Sequence, residues 1–149
     1  RNKTLQNAES LEKLTTDFAP DPDLYQITVE DASATGKPTV VVFASPGFCT
    51  SPTCGPQTAT LSELKAEYAG EANFIHVEIY DNPDEIQGDL NKATLSQPVQ
   101  DWGISDLPDW FNESWTFILS DEGWGSQRFE GFATLEELES AMQVVLAQS

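Results

Sequence analysis

Two cysteines, Cys49 and Cys54, are the residues of this chain whose type and spacing most directly suggest chemistry. Four residues separate them, and a loop of that length can bring two Cα atoms within the roughly 4.4 to 6.8 Å that a disulfide requires. Gly47, Pro52 and the neighbouring Ser and Thr residues suit a tight loop. The pair can therefore form a reversible redox bridge, a permanent structural bridge, or part of a metal site.

The residues after Cys54 predict a helix that begins at Gly55-Pro56 and stops near Gly70. A thiol at a helix start is stabilised as thiolate, the form that attacks disulfides, by unpaired backbone N–H groups and the positive end of the helix dipole. Pro56 in the first turn removes no needed hydrogen bond, and Gly55 lets a partner backbone approach. Cys54 is therefore the candidate nucleophile, and Cys49 is the only other thiol that could resolve a mixed disulfide.

The elements that position this pair form a βαβ unit. Residues 39–44 are a β-branched apolar run typical of a buried central strand, and residues 73–80 predict the next strand. Such units are nearly always right-handed with parallel strands. The loop that carries both cysteines therefore lies at the carboxyl edge of the first strand, where open α/β sheets usually hold their sites.

The rest of the chain predicts a helical arm and a closing ββα unit. The expected elements are a helix over 1–19, a short strand over 24–29, a hairpin of strands 116–120 and 126–130, and a terminal helix capped by Thr134. This divides the chain into an N-terminal helical arm, residues 1–23, and a single α/β domain, residues 24–149.

Charge restricts the partners. Seven basic and 25 acidic residues give a net charge of −18, which repels phosphate backbones and excludes nucleic acid as a partner. No apolar run reaches the roughly 18 residues of a membrane span.

We expect a monomer with no cofactor. Because the chain begins at Arg1 without a leader and carries a cysteine pair, we also expect a processed protein in an extracytoplasmic compartment.

The order of elements, with Cys54-Gly55-Pro56 opening the helix after the buried strand, resembles the thioredoxin-like superfamily, in particular its extracytoplasmic thiol:disulfide oxidoreductases. Phe43-Ala44 at the strand end and Trp102-Gly103-Ile104 ahead of the family's cis-proline extend the likeness, which covers residues 24 to 146. The resemblance implies a three-layer α/β/α fold with a central mixed sheet, and protein thiols or disulfides as substrates.

Three departures from the family pattern bear on function. The family's second cysteine falls on Gln57, and its buried strand carboxylate falls on Val41 or Val42, so no internal base is evident. The cis-proline position, which contacts substrate backbone in the family, falls on Ser114 when counted from the last hairpin, and on Pro108 when counted from Trp102. We favour Ser114, with Trp115 beside it, as substrate-binding residues together with Gly55 and Pro56.

Three functions follow from these residues. The leading hypothesis is a thiol:disulfide oxidoreductase in which Cys54 attacks and Cys49 resolves. The alternative is a non-catalytic binding module whose Cys49–Cys54 disulfide is structural. A third, copper binding by the two thiolates, would need another ligand. The sole histidine, His76, lies between two strand residues and is interpreted as an ordinary sheet residue.

Overall fold

Four strands form one mixed sheet in the computed structural model of the chain, which describes residues 2–6, 10–16, 21–45, 54–86, 90–106, 114–121 and 125–147. The strands are β1 (Thr39–Ala44), β2 (Asn73–Glu78), β3 (Trp115–Leu119) and β4 (Gly125–Glu130), in the spatial order β2-β1-β3-β4. The α-helices are α1 (Val29–Ser33), α2 (Cys54–Glu67), α3 (Pro83–Ile86), α4 (Gln97–Asp101) and α5 (Leu135–Ala147). Short 3-10 turns cover Leu11–Lys13, Pro22–Tyr25, Leu90–Lys92 and Ile104–Asp106.

Strand β1 is central, and all six of its side chains are buried. It pairs in parallel with β2, so the predicted βαβ unit is confirmed, and it pairs antiparallel with β3. Strands β3 and β4 form the predicted antiparallel hairpin. A run of β-branched residues suits a strand that is covered on both faces, because each side chain packs against a neighbouring layer instead of facing water.

Side chains of β1 alternate between two apolar clusters, one on each face of the sheet. Val40, Val42 and Ala44 join the cluster that includes Leu61 of α2 and Met142 of α5. The other face packs its side chains against α1 and α4, and this second cluster includes Val41, Phe43, Ala32 and Val99. Helices therefore cover both faces of the mixed sheet, which confirms the expected three-layer α/β/α architecture.

Local signals fix the bounds of the two long helices. Gly70 adopts φ 84° just beyond α2, a left-handed conformation that glycine takes without steric cost and that ends the helix where the sequence predicts. At the start of α5, Thr134 Oγ1 accepts from Glu137 N–H at 3.1 Å, and Glu137 Oε1 accepts from Thr134 N–H at 3.2 Å. This reciprocal capping box confirms Thr134 as the cap of the terminal helix.

The strand predicted over residues 24–29 is wrong. Residues Pro22–Tyr25 form a 3-10 turn, and α1 begins at Val29. Side-chain caps decide the outcome: Asp21 Oδ1 accepts from Asp23 N–H at 3.0 Å, and Thr28 Oγ1 accepts from Asp31 N–H at 3.1 Å. These bonds satisfy backbone donors at two helix starts, which an extended strand would leave to a neighbouring strand.

The helix predicted over residues 1–19 is also wrong. In the described ranges 2–6 and 10–16, the helical element is the 3-10 turn Leu11–Lys13. Distant partners replace helical hydrogen bonds: Leu5 N–H donates to Tyr25 O at 2.8 Å, and Asn2 Oδ1 accepts from Val29 N–H at 2.8 Å. Leu14 belongs to the apolar cluster that includes Leu61 and Met142. The N-terminal segment therefore packs onto the core, and its separation from residues 24–149 as an arm stays a prediction.

None of the helices in the described ranges has the length and apolar character that crossing a bilayer requires.

Candidate functional site

Cys54 is the first residue of the 14-residue helix α2, the next described element of the chain after β1. Gly55 and Pro56 occupy the first turn, as the sequence predicts, and Pro56 O accepts from the Thr60 hydroxyl at 2.8 Å. Cys49 lies outside the described residues. The helix-start position of Cys54 is thus confirmed, and its pairing with Cys49 stays a prediction.

Ser114 lies at the same edge of the sheet as the start of α2. Trp115, the next residue, pairs with Phe43 of the antiparallel β1, so Ser114 lies toward the end from which β1 leaves for Cys54. Ser114 is buried, its Oγ donates to Gly131 O at 3.2 Å, and its carbonyl accepts from Gly131 N–H at 2.8 Å. The competing position, Pro108, lies outside the described residues, so the substrate-binding role of Ser114 stays a prediction.

Trp115 is only 2% exposed and belongs to the second apolar cluster. The Arg128 guanidinium carbon lies 5.8 Å from the centroid of its ring, within the range of a cation–π contact. This burial leaves the ring little surface for a substrate. A contact between Trp115 and a substrate would therefore use its backbone, and that role too stays a prediction.

Gln57 occupies the position at which the resemblance expects a second cysteine, and it is buried completely. Its Nε2 donates to Ala133 O at 3.1 Å, and its Oε1 accepts from Ala133 N–H at 2.6 Å. The side-chain amide therefore joins the first turns of α2 to the segment that precedes α5. A residue held in this way links two segments of backbone, and Cys54 is the one cysteine in the sequence of α2.

Glu78, at the end of β2, is a buried carboxyl that sequence reasoning missed. It is 5% exposed and lies opposite Ala44 in the parallel β1–β2 pair. Burial raises the pKa of Glu78 to about 7, against the lowering effect of hydrogen bonds from Thr16, Ser45 and Tyr80. Thr16 donates both its N–H and its hydroxyl to Oε1, each at 2.7 Å.

Ser45, which hydrogen-bonds this carboxyl, is the last described residue before residues 46–53. Glu78 also lines a cavity of about 60 Å³, which has room for a few water molecules, together with Lys3, Lys13 and Tyr80. Val41 and Val42 are buried apolar residues, as expected, but a buried carboxyl that sequence reasoning did not find lies on β2, the adjacent strand. The signal in the sequence was an acidic residue among the apolar residues of the predicted strand 73–80.

His76 is buried on β2 and has partners at both ring nitrogens. Nε2 lies 2.9 Å from Ala44 O, and Nδ1 lies 2.6 Å from the Tyr25 hydroxyl. Because a carbonyl only accepts, Nε2 carries a hydrogen, and Nδ1 of the neutral ring accepts from Tyr25. These contacts agree with the interpretation of His76 as a sheet residue, since neither nitrogen is free to bind a metal.

Among the described residues, no group of three His, Cys, Asp or Glu side chains is arranged to hold a metal ion.

Comparisons with known proteins place the fold. No family model matches the sequence, and no curated protein matches it. Several solved structures do match. A Chlorobium tepidum protein provisionally named the thiol:disulfide interchange protein DsbE has a TM-score of 0.58 and 14% identity, over 80% of this chain and 86% of its own.

Two further structures agree. MTB DsbF has a TM-score of 0.54 and 20% identity over 76% of this chain and 84% of its own. A thiol:disulfide interchange protein of the thioredoxin family from Chlorobium tepidum TLS has a TM-score of 0.53 and 15% identity over 93% of this chain and 99% of its own. The chain has a thioredoxin-like fold.

Within the thioredoxin-like fold, the described part of the site contains the start of α2, the start of β3 and the end of β2. Sequence reasoning found the first two, because a Cys-Gly-Pro helix start and a strand start are local signals. It missed Gln57 and Glu78 as site residues, since their partners Ala133 and Thr16 lie 76 and 62 residues away along the chain.

Proposed function

We propose that this chain is a thiol:disulfide oxidoreductase that acts on protein thiols or disulfides through Cys54 and Cys49. The observation that carries the proposal is the position of Cys54 as the first residue of α2, at the carboxyl edge of the central strand. Unpaired backbone N–H groups at a helix start favour the thiolate, which is the attacking species in disulfide exchange. The similar structures named thiol:disulfide interchange proteins support the same reaction class.

The proposed reaction has two exchange steps. The Cys54 thiolate attacks one sulfur of a partner disulfide, which forms a mixed disulfide and releases the other partner sulfur as a thiolate. Cys49 then loses its proton and attacks Cys54 Sγ, which forms the Cys49–Cys54 disulfide and releases the second partner thiolate. The partner is reduced by two electrons and the chain is oxidised, and the reverse sequence oxidises a partner dithiol.

Glu78 is the described carboxyl best suited to take the proton that Cys49 must lose. Its pKa of about 7 lets it accept and return a proton near neutral pH, and it belongs to the hydrogen-bonded group that includes Ser45, before the cysteine loop. Gly55, Pro56 and the backbone at Ser114 and Trp115 would contact the partner. We further propose an extracytoplasmic location, where a disulfide pair persists.

A structural disulfide in a binding module is the second candidate. The complete burial of Gln57 favours it, because the family's second cysteine is replaced by a residue that links two backbone segments. Copper binding has less support, since both ring nitrogens of the sole histidine have protein partners.

The reduction potential of the Cys49–Cys54 couple separates these candidates. The protein is equilibrated in a series of thiol buffers, its free thiols are alkylated, and the alkylated fraction is measured by mass spectrometry. We expect a potential between about −100 and −270 mV, the range of working oxidoreductases. A value below about −300 mV would identify a structural bridge and contradict the proposal. Failure to form any disulfide in oxidising buffer would contradict both the oxidoreductase and the structural bridge. Titration with copper would then test the third candidate.

Two variants test the roles of the cysteines in insulin reduction. Cys54→Ser should abolish turnover without loss of folding, because the attacking thiolate is gone. Cys49→Ser should stop after one step and accumulate a mixed disulfide between Cys54 and insulin, visible by mass under non-reducing conditions. Full activity in Cys54→Ser would refute the assignment of the nucleophile.

A further inference from the structure

The Gln57–Ala133 contact is one of two consecutive links that join α2 to β3. The first is the pair of hydrogen bonds between the Gln57 amide and the Ala133 backbone, at 2.6 and 3.1 Å. Two residues earlier, Gly131 makes a second reciprocal pair with Ser114, at 2.8 and 3.2 Å. The segment 131–133 is thus bonded to the start of β3 on one side and to the start of α2 on the other.

Gly131 makes the second link feasible. Its φ of 76° lies in the left-handed region, which glycine adopts at little cost and other residues avoid. With this turn, one glycine presents its N–H to the Ser114 carbonyl and its carbonyl to the Ser114 hydroxyl. Backbone groups that would otherwise be unpaired in the interior are satisfied, which fixes the segment between the two elements.

The start of α2 is weak as an isolated helix and needs such an anchor. Gly55 in the first turn lowers helix stability, because glycine loses more backbone freedom than other residues when the helix forms. No acidic residue in the first turn offsets the positive end of the helix dipole. The buried Gln57 side chain follows immediately and is the first in α2 with a described hydrogen bond to another element.

We infer that Gln57 is a positioning residue for Cys54: its bidentate contact with Ala133 keeps the first turn of α2 helical and at a fixed distance from the start of β3. This inference rests on the proposed function and deepens it. Gln57 acts through the backbone, since the unpaired N–H groups and the dipole of an intact first turn stabilise a thiolate at the helix start. Loss of the contact lets the turn fray and weakens that stabilisation of the thiolate.

The test measures the thiol pKa in Cys49→Ser protein, where Cys54 is the sole thiol. The rate of alkylation by iodoacetamide is followed against pH in this parent and in the same protein carrying Gln57→Met, which keeps the side-chain volume and removes both hydrogen bonds. We expect the midpoint of the rate profile to rise by about half a pH unit, which is about a threefold loss of thiolate below the midpoint.

A matched control separates positioning from general loss of stability. Leu138→Ala removes a fully buried side chain of α5 that has no part in the contact, and it should destabilise the fold while leaving the midpoint at the parental value. Circular dichroism and thermal unfolding establish that each variant is folded. If Gln57→Met does not fold, Gln57→Asn, which keeps the amide but is one methylene shorter, should give a smaller rise.

The outcomes distinguish this inference from the function on which it rests. A folded Gln57→Met protein with the parental midpoint, or a Gln57→Asn protein with that midpoint where Gln57→Met does not fold, would overturn the positioning role. An equal rise in Leu138→Ala would overturn it as well. The proposed function would survive all three results, because it is tested by the reduction potential of the Cys49–Cys54 couple and by the loss of insulin reduction in Cys54→Ser.

Discussion

Tyr25 and His76 are joined in the core by a hydrogen bond of 2.6 Å between the tyrosine hydroxyl and Nδ1 of the imidazole. The two rings also meet edge to face, with centroids 5.5 Å apart. The bond connects the 3-10 turn Pro22–Tyr25 to β2, and the other ring nitrogen of His76 contacts the Ala44 carbonyl at the end of β1. The Tyr25–His76 pair therefore connects the segment before α1 to β2 and to the carboxyl end of β1.

Removing the tyrosine hydroxyl should destabilise the fold, because it deletes a buried hydrogen bond to His76. In Tyr25→Phe, Nδ1 of His76 loses the hydrogen bond from the tyrosine hydroxyl, and we expect a loss of about 1 to 3 kcal/mol in the free energy of unfolding. Urea unfolding measures the change. Tyr68→Phe, at a half-buried position of the same residue type, is the control and should cost less. Equal stability in Tyr25→Phe and the unaltered protein would contradict this role for the hydroxyl.

Glu78 should make the stability of the fold fall as pH rises. Its pKa is about 7 in the folded chain against an ordinary value of 4.5, so the folded state binds the proton more tightly than the unfolded state does. That contribution is fully present below pH 4.5 and is lost as pH rises through 7. The pKa difference corresponds to about 3 kcal/mol.

Glu78→Gln cannot ionise and should remove this dependence. We expect the unfolding free energy of Glu78→Gln to rise relative to that of the unaltered protein between pH 5 and 8. Urea unfolding of the two proteins in parallel measures the difference. The exposed Glu71→Gln is the control for the loss of one negative charge from the strongly acidic chain. Parallel stability curves for Glu78→Gln and the unaltered protein would show that Glu78 titrates at its ordinary pKa.

Lys65 anchors the N-terminal segment to α2 through two carboxylates. Its Nζ lies 2.6 Å from Asp21 Oδ2 and 3.0 Å from Asp23 Oδ2. Burial alone would raise the pKa of Asp21, but hydrogen bonds from Lys65 and the Asp23 N–H together lower it. We expect Lys65→Met to lower the free energy of unfolding by about 1 kcal/mol at neutral pH, because the ion pairs are partly exposed.

The lowered pKa of Asp21 sets the pH dependence of that loss. A carboxyl with a depressed pKa stabilises the fold above its unfolded pKa, and this contribution disappears as pH falls below the ordinary 3.8. The difference between Lys65→Met and the unaltered protein should therefore shrink in acid and in high salt. Lys92→Met, at an exposed position, is the control. A difference that persists in both conditions would indicate lost packing of the lysine stem instead.

Local pattern was enough for the elements that carry most of the core. The β-branched run at residues 39–44 predicts a strand buried on both faces. The Gly-Pro pair after Cys54 predicts the first turn of a helix. The strand prediction for residues 24–29 was wrong for a physical reason. The apolar residues of this segment fit a strand, but the side chains of Asp21 and Thr28 cap helical turns instead. Short-range capping outweighed apolar patterning there.

The site was less accessible from sequence than the fold, since its supporting contacts join distant residues. Nothing near Gln57 indicates that its partner is Ala133, and nothing near Glu78 indicates Thr16. A lone glutamate in a buried strand is a visible signal, and weighing it would have found the internal carboxyl. The amide contact of Gln57 depends on tertiary packing that no local pattern encodes.

The capping box of α5 provides a test on the segment that carries the Ala133 contact. Thr134→Ala removes the side-chain acceptor of Glu137 N–H and should cost about 1 kcal/mol in unfolding free energy. Thr134→Ser keeps the hydroxyl and should recover most of this loss. Because Ala133 is the adjacent residue, fraying of the helix start should also raise hydrogen exchange at the Ala133 amide, which Gln57 otherwise protects. Unchanged exchange at that amide in a destabilised Thr134→Ala protein would show that the Gln57 contact is independent of the α5 cap.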